Sequence, residues 1–143
     1  MINYNLLGED GLFGLSSERK LLNTFNDFFN CKLRLTKYRN DLFDFESVDD
    51  KIKIELKTRR CCKDDYPSTI LGLNKCTEGL RLIDEGYDIF FTFQFEDGLY
   101  YYQLTNYSPT EYTVGNITSH RRGFEETKKH AFIPTTLLTK IGQ

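Results

Sequence analysis

Asp44, Glu55 and Lys57 are the residues of this chain whose types and spacing could do chemistry together. They sit in Phe43-Asp44-Phe45-Glu46-Ser47-Val48-Asp49-Asp50-Lys51-Ile52-Lys53-Ile54-Glu55-Leu56-Lys57, which alternates in polarity about an Asp49-Asp50 turn. A two-residue turn there sets Val48 opposite Lys51, Glu46 opposite Lys53 and Asp44 opposite Glu55. A four-residue turn keeps the same pairs, whereas a one-residue bulge offsets them. The other face then pairs Phe45 with Ile54 and Phe43 with Leu56, an apolar surface for a core. Directly opposed carboxylates repel unless a positive charge lies between them. Lys57, two residues beyond Glu55, points the same way. Two carboxylates and an ammonium on one polar face predict a divalent-metal site suited to phosphate chemistry. The competing reading is a solvated hairpin face on which Glu46, Lys51, Lys53 and Glu55 exchange surface ion pairs.

The flanking segments must position that hairpin. Residues 1–15, with Gly8, Gly11 and Gly14, read as an irregular approach to a first helix. Ser16 or Ser17 caps it, and Leu21, Leu22, Phe25, Phe28 and Phe29 form its apolar stripe to about Phe29. Lys32 to Thr36 alternates as a first strand. Arg59 to Ser68 is polar, contains Pro67 and reads as a loop. Ile70 to about Glu85 reads as a second helix, weakened by Gly72 and Gly79 and ended at Gly86. Asp88–Phe95 and Leu99–Leu104 are aromatic-rich strands joined at Glu96-Asp97-Gly98. Beyond Asn106 the pattern predicts a loop, a polar stretch through His130, then Ile133-Pro134 and a short terminal helix. This order predicts an α/β domain with one mixed sheet covered on at least one face.

The 143 residues form one domain with a real core, for 39% are hydrophobic and 12 Phe and 9 Tyr supply bulk without any Trp. A formal charge of −2 removes any global attraction to nucleic acid, so such binding would use local patches. No apolar run is long enough for a membrane helix, and the amino terminus lacks a signal-peptide pattern, so the expected location is intracellular. The sequons at Asn106 and Asn116 then carry no meaning. Cys31, Cys61, Cys62 and Cys76 lack zinc-ligand spacing and read as reduced thiols.

The element order, with Asp44 followed by Glu55-Leu56-Lys57 on the next strand, resembles the PD-(D/E)XK nuclease superfamily. The resemblance covers roughly residues 16–95. It implies a restriction-endonuclease-like core, with a central mixed sheet in the order αβββαβ flanked by helices. The core would span about residues 16–105, and residues 106–143 would form an extension without a counterpart in the family. The proline that opens the family signature is absent, since Phe43 precedes Asp44. By this resemblance Asp44 and Glu55, with the Leu56 carbonyl, would hold Mg²⁺ or Mn²⁺. The ion would polarise a phosphodiester and acidify a water that Lys57 orients. Some members, Holliday-junction resolvases among them, add a Glu in the first helix, a place Glu18 matches. A carboxylate in a first helical turn is equally explained by the helix dipole.

The resemblance therefore implies a metal-dependent DNA endonuclease, structure-directed and resolvase-like, acting on branched or partly single-stranded DNA as a homodimer. The alternative is a catalytically silent nuclease-like domain that binds nucleic acid or a protein. Arg59, Arg60 and Lys63 follow the third strand and are expected at phosphates. Lys75 in the second helix lies where family members carry a polar or basic residue facing the site, although a solvated face explains it almost as well. His120-Arg121-Arg122 and Lys128-Lys129-His130 are further basic clusters, and Tyr100 to Tyr102 read as alternating core and surface positions.

Overall fold

The computed structural model describes residues 9–36, 41–120 and 123–142, with side chains from Arg19 onward. It is a mixed α/β structure with two α-helices and two sheets among the described residues. Helix α1 spans Glu9–Phe29, beginning well before the expected serine cap. Gly11 and Gly14 cost such a helix about 1 kcal/mol each relative to Ala, which weakens but does not forbid it. It ends at Asn30, whose φ of 51° is the left-handed conformation common after helices.

Strands β1 (Arg34–Leu35), β2 (Phe45–Ser47) and β3 (Ile52–Thr58) follow. The β2–β3 hairpin closes through Val48 to Lys51, and Ser47 Oγ donates to Asp50 Oδ2 at 2.7 Å to hold the turn. Phe45 opposes Ile54 and Glu46 opposes Lys53, as the alternation predicts. Strand β4 (Ser68–Gly72) begins where the expected loop ends and takes Ile70 to Gly72 from the start of the expected second helix, so a strand stands between β3 and α2 (Leu73–Asp84). β5 (Asp88–Phe95) and β6 (Gly98–Leu104) form the expected hairpin around a two-residue turn. The region beyond Asn106 also differs from expectation. It holds two further long strands, β7 (Thr113–Ser119) and β8 (Glu126–Pro134). The expected terminal helix is a single 3₁₀ turn, Thr135–Leu137, followed by the short β9 (Thr139–Lys140).

The six-stranded sheet has the order β1-β2-β3-β5-β6-β9, and β3 with β5 is its parallel pair. The second sheet, β4-β8-β7, is antiparallel. Two apolar cores follow from the period-two alternation of the central strands. On one face Phe25 of α1 meets Phe45 edge-on at 5.2 Å, together with Ile52, Ile54 and Phe90. On the other, Phe91, Phe93 and Phe95 pack with Cys76 and Leu82 of α2, Leu71 of β4, and Ala131 and Ile133 of β8. Glu55 and Lys57 pair with Phe91 and Phe93 across the parallel ladder, so they share this second face. Among the described residues no helix is long and apolar enough to cross a membrane. The four cysteines are free.

Candidate functional site

The edge of β3 that faces β2 changes character at Asp44. The Asp44 N–H donates to the Ile54 carbonyl at 3.0 Å, although Ile54 already pairs with Phe45. Two residues thus oppose one, which is a bulge. The consequence is visible in the core: Phe43 packs on the α2 face and Phe45 on the α1 face, instead of sharing the face expected from strict alternation. Past the bulge, Asp44 Oδ2 takes the ladder's place and accepts the Leu56 N–H at 2.8 Å. A strand residue sends its N–H and carbonyl to the same edge, so the Leu56 carbonyl also faces Asp44.

Despite the offset backbone, the two carboxylates meet. Glu55 is hydrogen-bonded to Asp44 and is only 3% exposed. Its pKa is pushed up to about 8, first by burial and then by the hydrogen bond and charge of Asp44. Lys75 and Lys57 oppose that shift. Lys75 lies in the first turn of α2 and brings its Nζ to 2.7 Å from Glu55 Oε2 while donating to the Leu42 carbonyl. Lys75 thus already holds the buried Oε2 of Glu55. Burial outweighs these two ammonium groups, and the Glu55 carboxyl keeps its proton at neutral pH.

The donor set fits a hard divalent cation: two facing carboxylates, one of whose oxygens Lys75 already contacts, and a backbone carbonyl on the same edge. Among the described residues no group of three His, Cys, Asp or Glu side chains converges. Glu18 lies within α1, but its side chain is outside the described residues. Glu46 turns elsewhere, to Arg34 at 3.1 Å and Lys53 at 3.7 Å.

The expected phosphate ligands separate. Arg59 is half-buried, bonds the Ile70 carbonyl, and leaves its Nε buried without a partner. Burial holds it below the usual arginine range. With Lys57 it lines a cleft of about 340 Å³ against β4 and the β7–β8 hairpin. Arg60 is exposed. Lys63 belongs to a different cleft, lies 2.9 Å from Asp64 and stacks over Tyr100. Sequence reasoning marked Lys128 and His130 as a basic cluster but not their place, which is the Lys57 cleft to which β8 carries them. The available signal was the β-branched alternation of Thr113-Val114-Gly115-Asn116-Ile117-Thr118-Ser119. His120 is exposed, and Arg121 and Arg122 lie outside the described residues. Tyr102 is buried, with its hydroxyl on Ser108 and Glu111, in keeping with a core position. Searches of protein-family models, curated proteins and solved structures return no match to this chain.

Proposed function

We propose that the chain is a metal-dependent endonuclease of the PD-(D/E)XK type, hydrolysing phosphodiester bonds in DNA. The observation that carries this reading is the buried Glu55 carboxyl set against Asp44, with Lys57 on the same sheet face. A buried carboxyl beside a second carboxylate is costly to ionise unless a cation is its working partner. The succession of α1, β1–β3, α2 and β5, interrupted after β3 by β4 of the second sheet, with β3 parallel to β5, supports a restriction-endonuclease-like core. In this reading Asp44 and Glu55, with the Leu56 carbonyl, hold Mg²⁺ or Mn²⁺. The ion would supply Lewis acidity toward a phosphodiester oxygen. Lys57 lines the open cleft beside the pair, where its ammonium holds the attacking water and offsets charge building on the phosphate. Lys75 keeps Glu55 oriented.

Cleavage of branched and partly single-stranded DNA in Mg²⁺ or Mn²⁺, lost in EDTA, is the expected result. Asp44→Asn, Glu55→Gln and Lys57→Ala should each lower the rate ~100-fold or more while folding normally. Undiminished cleavage by Glu55→Gln would reject the site. A second reading, a silent nuclease-like domain that binds nucleic acid or a protein, is favoured by one observation. Lys75 already compensates part of the carboxylate charge without any metal. Absence of Mg²⁺ or Mn²⁺ binding by calorimetry would decide for it.

A further inference from the structure

The β7–β8 hairpin has one face with no role in the reading above. Its register pairs Ile117 with Lys128 and Ser119 with Glu126, and these residues line the cleft opposite Lys57 and Arg59. His130, paired with Gly115, lies deeper on the same face. The cleft therefore collects the cations Lys57, Arg59 and Lys128 and the imidazole of His130 against a single carboxylate, Glu126, which sits 3.3 Å from Lys128. This local positive excess stands against a chain of net charge −2. Arginine stays charged even when half-buried, so Arg59 adds a fixed cation to the cleft wall. At the tip of the hairpin, two residues before Glu126, the Phe124 ring is 60% exposed.

We infer that this cleft is the path of a single nucleic-acid strand, with phosphates on Lys128 and Arg59 and a base stacked on Phe124. A basic groove with an exposed aromatic ring two residues along the chain from its wall supplies both elements that bind single strands without sequence preference. The volume of about 340 Å³ lies at the lower end of small-ligand pockets, about 300–1,000 Å³, enough for a nucleotide at a time and too little for a duplex. The inference rests on the nuclease reading for its biological sense but not for its test. It names the substrate form as a strand end or a single-stranded segment led past Lys57 to the Asp44–Glu55 pair.

Fluorescence anisotropy with labelled oligothymidylate in EDTA reads the cleft without the metal centre. The single strand should bind at least ~10-fold more tightly than a duplex of equal length. Lys128→Glu should weaken it ~10-fold and flatten the slope of log affinity against log salt by ~0.7 per lost contact. Phe124→Ala should weaken it about 10-fold for every base composition, within the range of one lost stacking contact. Lys140→Glu, on β9 at the far edge of the central sheet, should change nothing. Lys128 and Phe124 are both exposed, so the variants should fold, which circular dichroism checks. Equal affinity for duplex and single strand, or unchanged binding by both cleft variants, overturns the assignment. Single-strand binding lost in those variants, in a protein that never cleaves, would uphold the cleft and remove the nuclease. Cleavage that persists while both variants bind normally would uphold the nuclease and remove the cleft.

Discussion

Glu55 pairs with Asp44 and Lys75 in a space that burial has stripped of water, and its proton governs the site. Its folded pKa of about 8 stands well above the ordinary 4.5, so between those values the folded state holds a proton that the unfolded state has lost. Stability is then greatest below about pH 4.5 as far as this group is concerned. It falls as pH rises toward 8 and levels off beyond. Glu55→Gln should remove that slope and raise the melting temperature in metal-free buffer at pH 8, measured by thermal denaturation across pH. A parallel pH dependence in the variant would show that another group is responsible. A divalent ion must displace the same proton. Mg²⁺ binding at pH 7 should therefore release about one proton, detectable by calorimetry in buffers of different ionisation enthalpy, and tighten as pH rises toward 8.

At the scale of elements, α2 decides where Lys75 stands. Lys75 and Gly79 are one turn apart and share the helix face that meets the sheet. A Cβ on Gly79 would lie 2.6 Å from Leu104 Cδ2 and 3.2 Å from Ile89 Cγ2, and both side chains are buried. Gly79→Ala should therefore destabilise by ~1–3 kcal/mol despite the better helix propensity of alanine, because a packed core cannot shift enough to admit it. Chemical denaturation measures this directly. The same variant should shift the Glu55 pH dependence, because pushing α2 outward draws Lys75 from the carboxylate. The hairpin has a similar close contact: a Cβ on Gly115 would meet the Phe132 ring at 2.9 Å. Gly115→Val should disturb β7 and β8 and cost single-strand binding more than it costs the melting temperature of the central sheet.

The whole molecule joins a six-stranded mixed sheet to a smaller antiparallel one through a shared apolar core, with the carboxylate pair and the basic cleft close to that junction. An ion that binds only the folded state stabilises it by mass action, about 2.7 kcal/mol at a hundred times Kd. Mg²⁺ or Mn²⁺ should accordingly raise the melting temperature of the wild-type chain by several degrees and leave Asp44→Asn and Glu55→Gln unmoved. An equal rise in all three would place the ion elsewhere.

Local patterns in the sequence were enough for the β2–β3 register, the β5–β6 hairpin and the body of α2 though not its start, because periodic alternation and turn residues act over a few neighbours. The shared face of Glu55 and Lys57 was legible for the same reason, whereas the expected opposition of Asp44 to Glu55 gave way to a bulge that sets Asp44 against Ile54. That bulge was not legible, since it depends on Phe43 finding a place beside Leu71 and Cys76, residues far along the chain. Strand β4 escaped notice because Ser68–Gly72 gains its ladder only from Pro134 back to His130, more than 50 residues away. The burial that raises the Glu55 pKa, the approach of Lys75 and the delivery of Lys128 to the cleft share that origin. Residue types and spacing determined which groups could do chemistry. Tertiary packing decided their charge state and their company, because desolvation and electrostatic neighbours arise only when distant segments meet.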